Sequence, residues 1–126
     1  MNVKVGTGCA GSAMEDEIIE NIVREAAEAV KELMKGDLVE VILYGSCARG
    51  DYTDDSDVDI ALLTKSNRIE SQKYNDGLAA IATEFAMEYF AVVNFICIPY
   101  GEFEEKKEWY PYFKNIEAEG KVIRCP

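Results

Sequence analysis

The chain has 126 residues, 48% hydrophobic and 29% charged, which fits a globular protein of one-domain size and not a disordered segment. Thirteen basic residues against 24 acidic ones leave a net charge of −11, which argues against a nucleic-acid partner, because gripping a phosphate backbone needs a basic surface. No apolar run is long enough to span a membrane and no basic leader precedes a hydrophobic stretch, so the cytoplasm is the expected location. The absence of histidine removes every Ser–His or Cys–His nucleophile scheme. Cys9, Cys47, Cys97 and Cys125 form no C-x-x-C pair and have no histidine to complete a zinc set, so free thiols in a reducing compartment are expected. Cys47 stands out as a point where a thiol reagent would inhibit without the thiol being catalytic.

The whole of residues 1–126 is expected to form one domain, with 1–12 as a loose leader. Gly6-Thr-Gly-Cys-Ala-Gly11 matches a G-x-G-x-x-G fingerprint. A dinucleotide site would need a buried strand before it and an acid at the end of the next strand. Met1–Val5 is too short and polar for the first, and Glu40 stands at the start of the next strand. Ser12 to Glu15 has capping-box spacing. Ile18, Ile19, Ile22, Val23, Ala26, Ala27, Val30 and Leu33 then recur at helical spacing as far as Lys35, with Gly36 as the stop. Val39–Tyr44 reads as a buried strand, Ser46–Gly50 as a helical turn, 51–56 as an acidic loop and 57–64 as a second strand. The dozen or so residues between the two strands favour antiparallel pairing. Arg68 to about Glu88 reads as a helix, Phe90–Ile98 as a strand stopped by Pro99, 101–119 as a helical region broken near Pro111, and Lys121–Arg124 as a short closing strand. This order gives an α/β fold, a mixed sheet flanked by helices. The aromatic-rich tail from Trp109 to Gly120 reads either as cover over an edge of the sheet or as an oligomer or partner surface.

The chemistry concentrates between two apolar runs. Gly45-Ser46 follows the first strand, ten residues intervene, and Asp57-Val-Asp59 opens the second. Strand residues i and i+2 share a face and start about 6.7 Å apart, close enough for two carboxylates to share a hard cation. A small turn at Gly45-Ser46 lets backbone N–H groups approach phosphate oxygens. An acid pair entering an apolar strand is costly unless something compensates its charge.

Gly-Ser-Cys-Ala-Arg-Gly-Asp followed by Ser-Asp-Val-Asp resembles the minimal nucleotidyltransferases of the DNA polymerase β superfamily. The signature spans residues 45–59, and the strand–helix order extends the likeness over roughly 15–123. The resemblance implies a polymerase-β-type nucleotidyltransferase fold and Mg²⁺-dependent transfer of a nucleoside monophosphate from an NTP, ATP foremost, to a hydroxyl of a partner protein or small molecule. It makes Asp57 and Asp59 the catalytic residues and metal ligands, and Gly45 and Ser46 the nucleotide-binding turn. Arg49 is either a phosphate contact or a clamp on the acidic loop through Asp51, Asp54 or Asp55. Asp51 reads as a turn residue, and Ser56 as a hydrogen-bonding loop residue. The family usually has a third acid on a later strand, where this chain has Asn94, which cannot accept a proton at neutral pH. Three readings follow: Glu84 or Glu88 swings in, a substrate group acts as base, or the site binds nucleotide without transfer. The last would make the chain an antitoxin-like interaction module. The family's habit of working beside a HEPN-domain protein makes such a protein, or self-association, the expected partnership.

Overall fold

The computed structural model describes residues 16–49 and 57–123, excepting the side chains of Asp16, Ser46 and Arg49. The Ser12–Glu15 cap, the Gly6–Gly11 motif, Gly50, the acidic loop with Ser56, Arg124, Cys9 and Cys125 lie outside the described residues.

Helix α1 (Asp16–Met34) carries the apolar stripe expected of it, and Ile22, Ala26 and Val30 are fully buried. It ends because Lys35, not Gly36, takes the left-handed conformation at φ 50° and opens a 3₁₀ turn over Lys35–Asp37. Strand β1 (Leu38–Tyr44), helix α2 (Ser46–Arg49) and strand β2 (Val58–Thr64) follow. The expected helix over 68–88 starts later. Asn67 and Glu70 cap each other reciprocally, Asn67 N–H to Glu70 Oε1 at 3.0 Å and Glu70 N–H to Asn67 Oδ1 at 2.8 Å. They open a 3₁₀ turn, Glu70–Tyr74, and helix α3 runs Asn75–Tyr89. Strand β3 (Val93–Pro99) also starts later than expected, because Phe90 closes α3 in a left-handed conformation at φ 56° and lies 82% exposed. The region 101–119 divides into α4 (Tyr100–Lys106) and α5 (Pro111–Glu119), with Pro111 in the first turn, where its missing N–H costs nothing. Strand β4 (Lys121–Ile123) closes the described chain. Among the described residues, no helix is long and apolar enough to cross a membrane.

The mixed sheet has the order β3-β2-β1-β4. β1 pairs antiparallel with β2, as its connection suggests, and with β4, while β2 and β3 are parallel. Each face has its own core. On one, α1 and α3 cover Val41, Leu43, Val58, Ile60 and Leu62. On the other, Phe103 of α4 and Phe113 and Ile116 of α5 cover Ile42, Ala61, Leu63 and Ile98. The aromatic tail is thus partly sheet cover, with Phe113 2% exposed, while Trp109 stands 64% exposed beside it.

A polar clasp ties the start of β1 to the turns before α3. Asp37 accepts from the Tyr74 hydroxyl at 2.7 Å, the Ser66 N–H at 2.9 Å and the Ser66 hydroxyl. Burial alone would raise the Asp37 carboxyl, but the hydrogen bonds from Ser66 and Tyr74 outweigh it and hold the group below the usual carboxylate range. A depressed pKa contributes stability above the ordinary value of about 3.9, and that stability is lost as pH falls through the folded-state value. Asp37→Asn is therefore expected to cost about 0.5–1.5 kcal/mol at neutral pH, discounted for partial exposure. The deficit should shrink as the pH of urea denaturation is lowered below about 4.

Candidate active site

The sheet registers assemble the site. Tyr44 of β1 stands opposite Asp59 of β2, and Asp59 stands opposite Asn94 of β3. Directly paired residues project to the same face, so Tyr44, Asp59 and Asn94 form one transverse row. It lies where β1 ends and β2 and β3 begin. The next rows along this face, Ile42–Ala61–Ile96 and Glu40–Leu63–Ile98, run beneath α4 and α5. The first row is covered only at Tyr44, which packs against that layer: Asp57 and Asn94 are exposed and Asp59 is half-buried.

The carboxylates of Asp57 and Asp59 converge. One amide nitrogen, Asn94 Nδ2, donates to Asp57 Oδ2 at 2.9 Å and to Asp59 Oδ1 at 3.1 Å. Asn94 therefore stands at the position read from the sequence for the third acid. Glu84 and Glu88 do not take its place. Both are exposed on α3, whose buried side chains Leu78, Phe85 and Tyr89 belong to the core of the opposite face. Among the described residues, no three His, Cys, Asp or Glu side chains are grouped to hold a metal, so two carboxylates and one amide face the opening.

Gly45 makes the turn between β1 and α2 with φ 79°, in the left-handed region. A Cβ there would stand 2.7 Å from Asp59 Oδ2, so glycine is required both by the backbone and by the acid it faces. Its carbonyl accepts from Ala48 N–H at 3.0 Å, which closes α2. Ser46 and Arg49 begin and end α2, but their side chains lie outside the described part of the chain.

Two neighbours respond to the acids. The Cys47 thiol donates to the Asp57 carbonyl at 3.5 Å, and burial, reinforced by the charges of Asp59 and Asp57, pushes it up to about 11. Tyr44 shares a 2.8 Å hydroxyl–hydroxyl bond with Tyr112 of α5. Burial first, then Tyr112 and the Asp59 charge, raises its phenol well above the usual value. Both groups are thus protonated and neutral at pH 7. The Tyr44–Tyr112 contact was not legible in the sequence. The adjacency of Tyr44 to Gly45 hinted at one half of it, but nothing local links Tyr112 to a residue 68 positions earlier.

This geometry accompanies a clear kinship. The model of the nucleotidyltransferase domain family matches residues 23–124, and the chain belongs to that family. It is 31% identical over 104 residues to a candidate protein adenylyltransferase of Methanocaldococcus jannaschii, covering 82% of this chain and 96% of the relative. A second such protein of the same organism is 36% identical over 78 residues, 62% of this chain and 76% of the relative. The crystal structure of a candidate nucleotidyltransferase from Sulfolobus solfataricus superposes with a TM-score of 0.53 at 27% identity, covering 93% of this chain and 90% of the other. A toxin–antitoxin crystal structure with AMP-PNP shares the fold, with a TM-score of 0.52 at 16% identity, covering 82% and 73% of the two chains. The mixed α/β architecture is thus the nucleotidyltransferase fold expected from the sequence, and the chain is a nucleotidyltransferase by family.

Two outcomes test this geometry. Gly45→Ala combines a left-handed backbone with a close approach to Asp59, and should lower stability by about 1–3 kcal/mol in denaturant titration. Cys47, read from the sequence as a point of attack for thiol reagents, is instead buried, so it should resist iodoacetamide in the native protein at pH 7 to 8, followed by peptide mass spectrometry, and react once the chain is unfolded.

Proposed function

We propose that the chain transfers a nucleoside monophosphate from an NTP, with ATP the leading donor, to a hydroxyl of a partner protein or small molecule, using Mg²⁺ held by Asp57 and Asp59. The observation that carries this reading is the convergence of both carboxylates at an open sheet end, with Asp59 Oδ2 facing the Gly45 turn. The donor set fits a hard cation. Mg²⁺ takes one or two carboxylates together with substrate phosphates, and the two acids reach a common point. When bound, it neutralises charge on the phosphates and on the departing pyrophosphate. The chain's own residues do the rest. Asp57 and Asp59 orient the triphosphate from one side. Gly45 leaves backbone space on the other, and Ser46 is assigned a phosphate contact through its hydroxyl. Arg49 is assigned a second. The acceptor oxygen bonds to the α-phosphorus in line with the bond to pyrophosphate, which breaks, and the acceptor proton passes to solvent.

Adenylyl transfer to a protein is supported by the relatives described as candidate protein adenylyltransferases. A HEPN-type partner is carried by the sequence resemblance. One observation favours a second reading, a nucleotide-binding module that transfers little: the residue touching both acids is a neutral amide.

Incubation with labelled ATP, Mg²⁺ and candidate acceptor should move label to the acceptor, and Asp57→Asn should abolish it without changing the thermal midpoint by more than a few degrees. Saturable Mg·ATP uptake with no transfer to any acceptor would select the second reading. Absence of Mg·ATP uptake in calorimetry would remove both.

A further inference from the structure

We propose that Asn94 makes cation binding conditional on nucleotide: its amide latches Asp57 and Asp59 together in the free protein, and a divalent cation is retained only when triphosphate oxygens arrive with it. The inference rests on the reading of this site as a nucleotidyl-transfer centre and goes beyond it to the order in which the site fills.

The two hydrogens of one amide nitrogen serve the two acids, one each, at 2.9 and 3.1 Å. Both bonds are charge-assisted, and together they offset the repulsion of two carboxylates brought to one point. The amide oxygen consequently points away from the acids. To ligate a cation beside them it would have to turn by half a rotation, and that turn breaks both bonds. A cation entering alone either displaces the latch or is left with the oxygens the amide does not use, Asp57 Oδ1 and Asp59 Oδ2, and in both cases it meets two carboxylates where a third acid would have added another charge.

No described neighbour makes up the difference. Among the described residues no further acid is grouped with the pair, and Glu84 and Glu88 stand on the helix that covers the opposite face. Mg²⁺ gives up its water reluctantly and prefers oxygen ligands in a strict octahedron. Two carboxylates opposed by an amide donor are a poor exchange for that water. Oxygens of a triphosphate add both charge and ligand number, and they supply what Asn94 lacks. By linkage, the nucleotide should tighten the cation by the same factor as the cation tightens the nucleotide.

The test is calorimetry on the full chain with Mg²⁺ or Mn²⁺, alone and in the presence of saturating AMP-PNP. The wild-type protein should hold the cation at least about 10-fold more tightly with the analogue than without it, within the range of linked sites. Asn94→Asp replaces the latch by a third carboxylate. It should bind the cation alone about 10–100-fold more tightly than wild type, and so lose most of the linkage. Circular dichroism establishes that this variant is folded. If it is not, Asn94→Ala, which removes the latch without adding charge, takes its place: it should hold the cation alone more tightly than wild type, and no gain would overturn the role given to Asn94. Equal cation affinity with and without AMP-PNP in a wild-type protein that does bind the analogue would overturn this proposal and leave the nucleotidyl-transfer reading standing. Failure of wild type to take up AMP-PNP with any cation would overturn both.

Discussion

Strand β2 pairs antiparallel with β1 on one side and parallel with β3 on the other, and both registers meet at Asp59. A slip of one residue in the β2–β3 register would send the β3 side chain opposite Asp59 to the α1–α3 face, since strand side chains alternate with period two. The apolar cores on the two faces prevent that slip. Ile60 and Leu62 are buried against one layer, Ala61 and Leu63 against the other, and each of the four is 0% exposed. The site is therefore set by burial further along the strands, in the part of the sheet where no chemistry occurs.

The same arrangement explains how two acids are tolerated at the mouth of an apolar strand. Asp57 and Asp59 lie at a sheet end where, among the described residues, Asp57 is exposed and Asp59 half-buried, so their charge stays in contact with water. The first turn of α5 nonetheless reaches the rim through Tyr112, whose ring meets that of Tyr44 edge to face at 6.1 Å. The result is a site with a tyrosine pair on the β1 side, a glycine turn beside it and a neutral amide on β3. Its net charge is lower than a three-acid site would carry. In the proposed reaction that difference would bear on metal retention and on the fate of the acceptor proton, because an amide neither adds charge nor accepts a proton.

The outer parts of the structure follow from smaller local rules. The break before α3 arises because Asn67 and Glu70 satisfy each other's N–H groups while Tyr74 is tied to Asp37. Lys35 and Phe90 end their helices in the left-handed conformation, although neither is a glycine. Apolar periodicity cannot reveal such stops, because it reports which face is buried and not which backbone angle closes the helix.

Much of the protein was legible from residue order alone. The stripe of α1, the apolar runs of β1 and β2 and the Gly45…Asp57-Val-Asp59 signature each depend on neighbours within a few positions. Their periods are dictated by backbone geometry. Family kinship was legible for the same reason, since a glycine turn and an i, i+2 acid pair are local demands of one chemistry. What the chain order left open was which strands would lie side by side. Folding alone decided that β3 runs parallel beside β2, that Asn94 bonds both acids while Glu84 and Glu88 are carried to the far side, and that Tyr112 meets Tyr44. Such contacts join residues 35 to 68 positions apart. They are selected by which apolar faces can be buried together, and that is a property of the whole sheet.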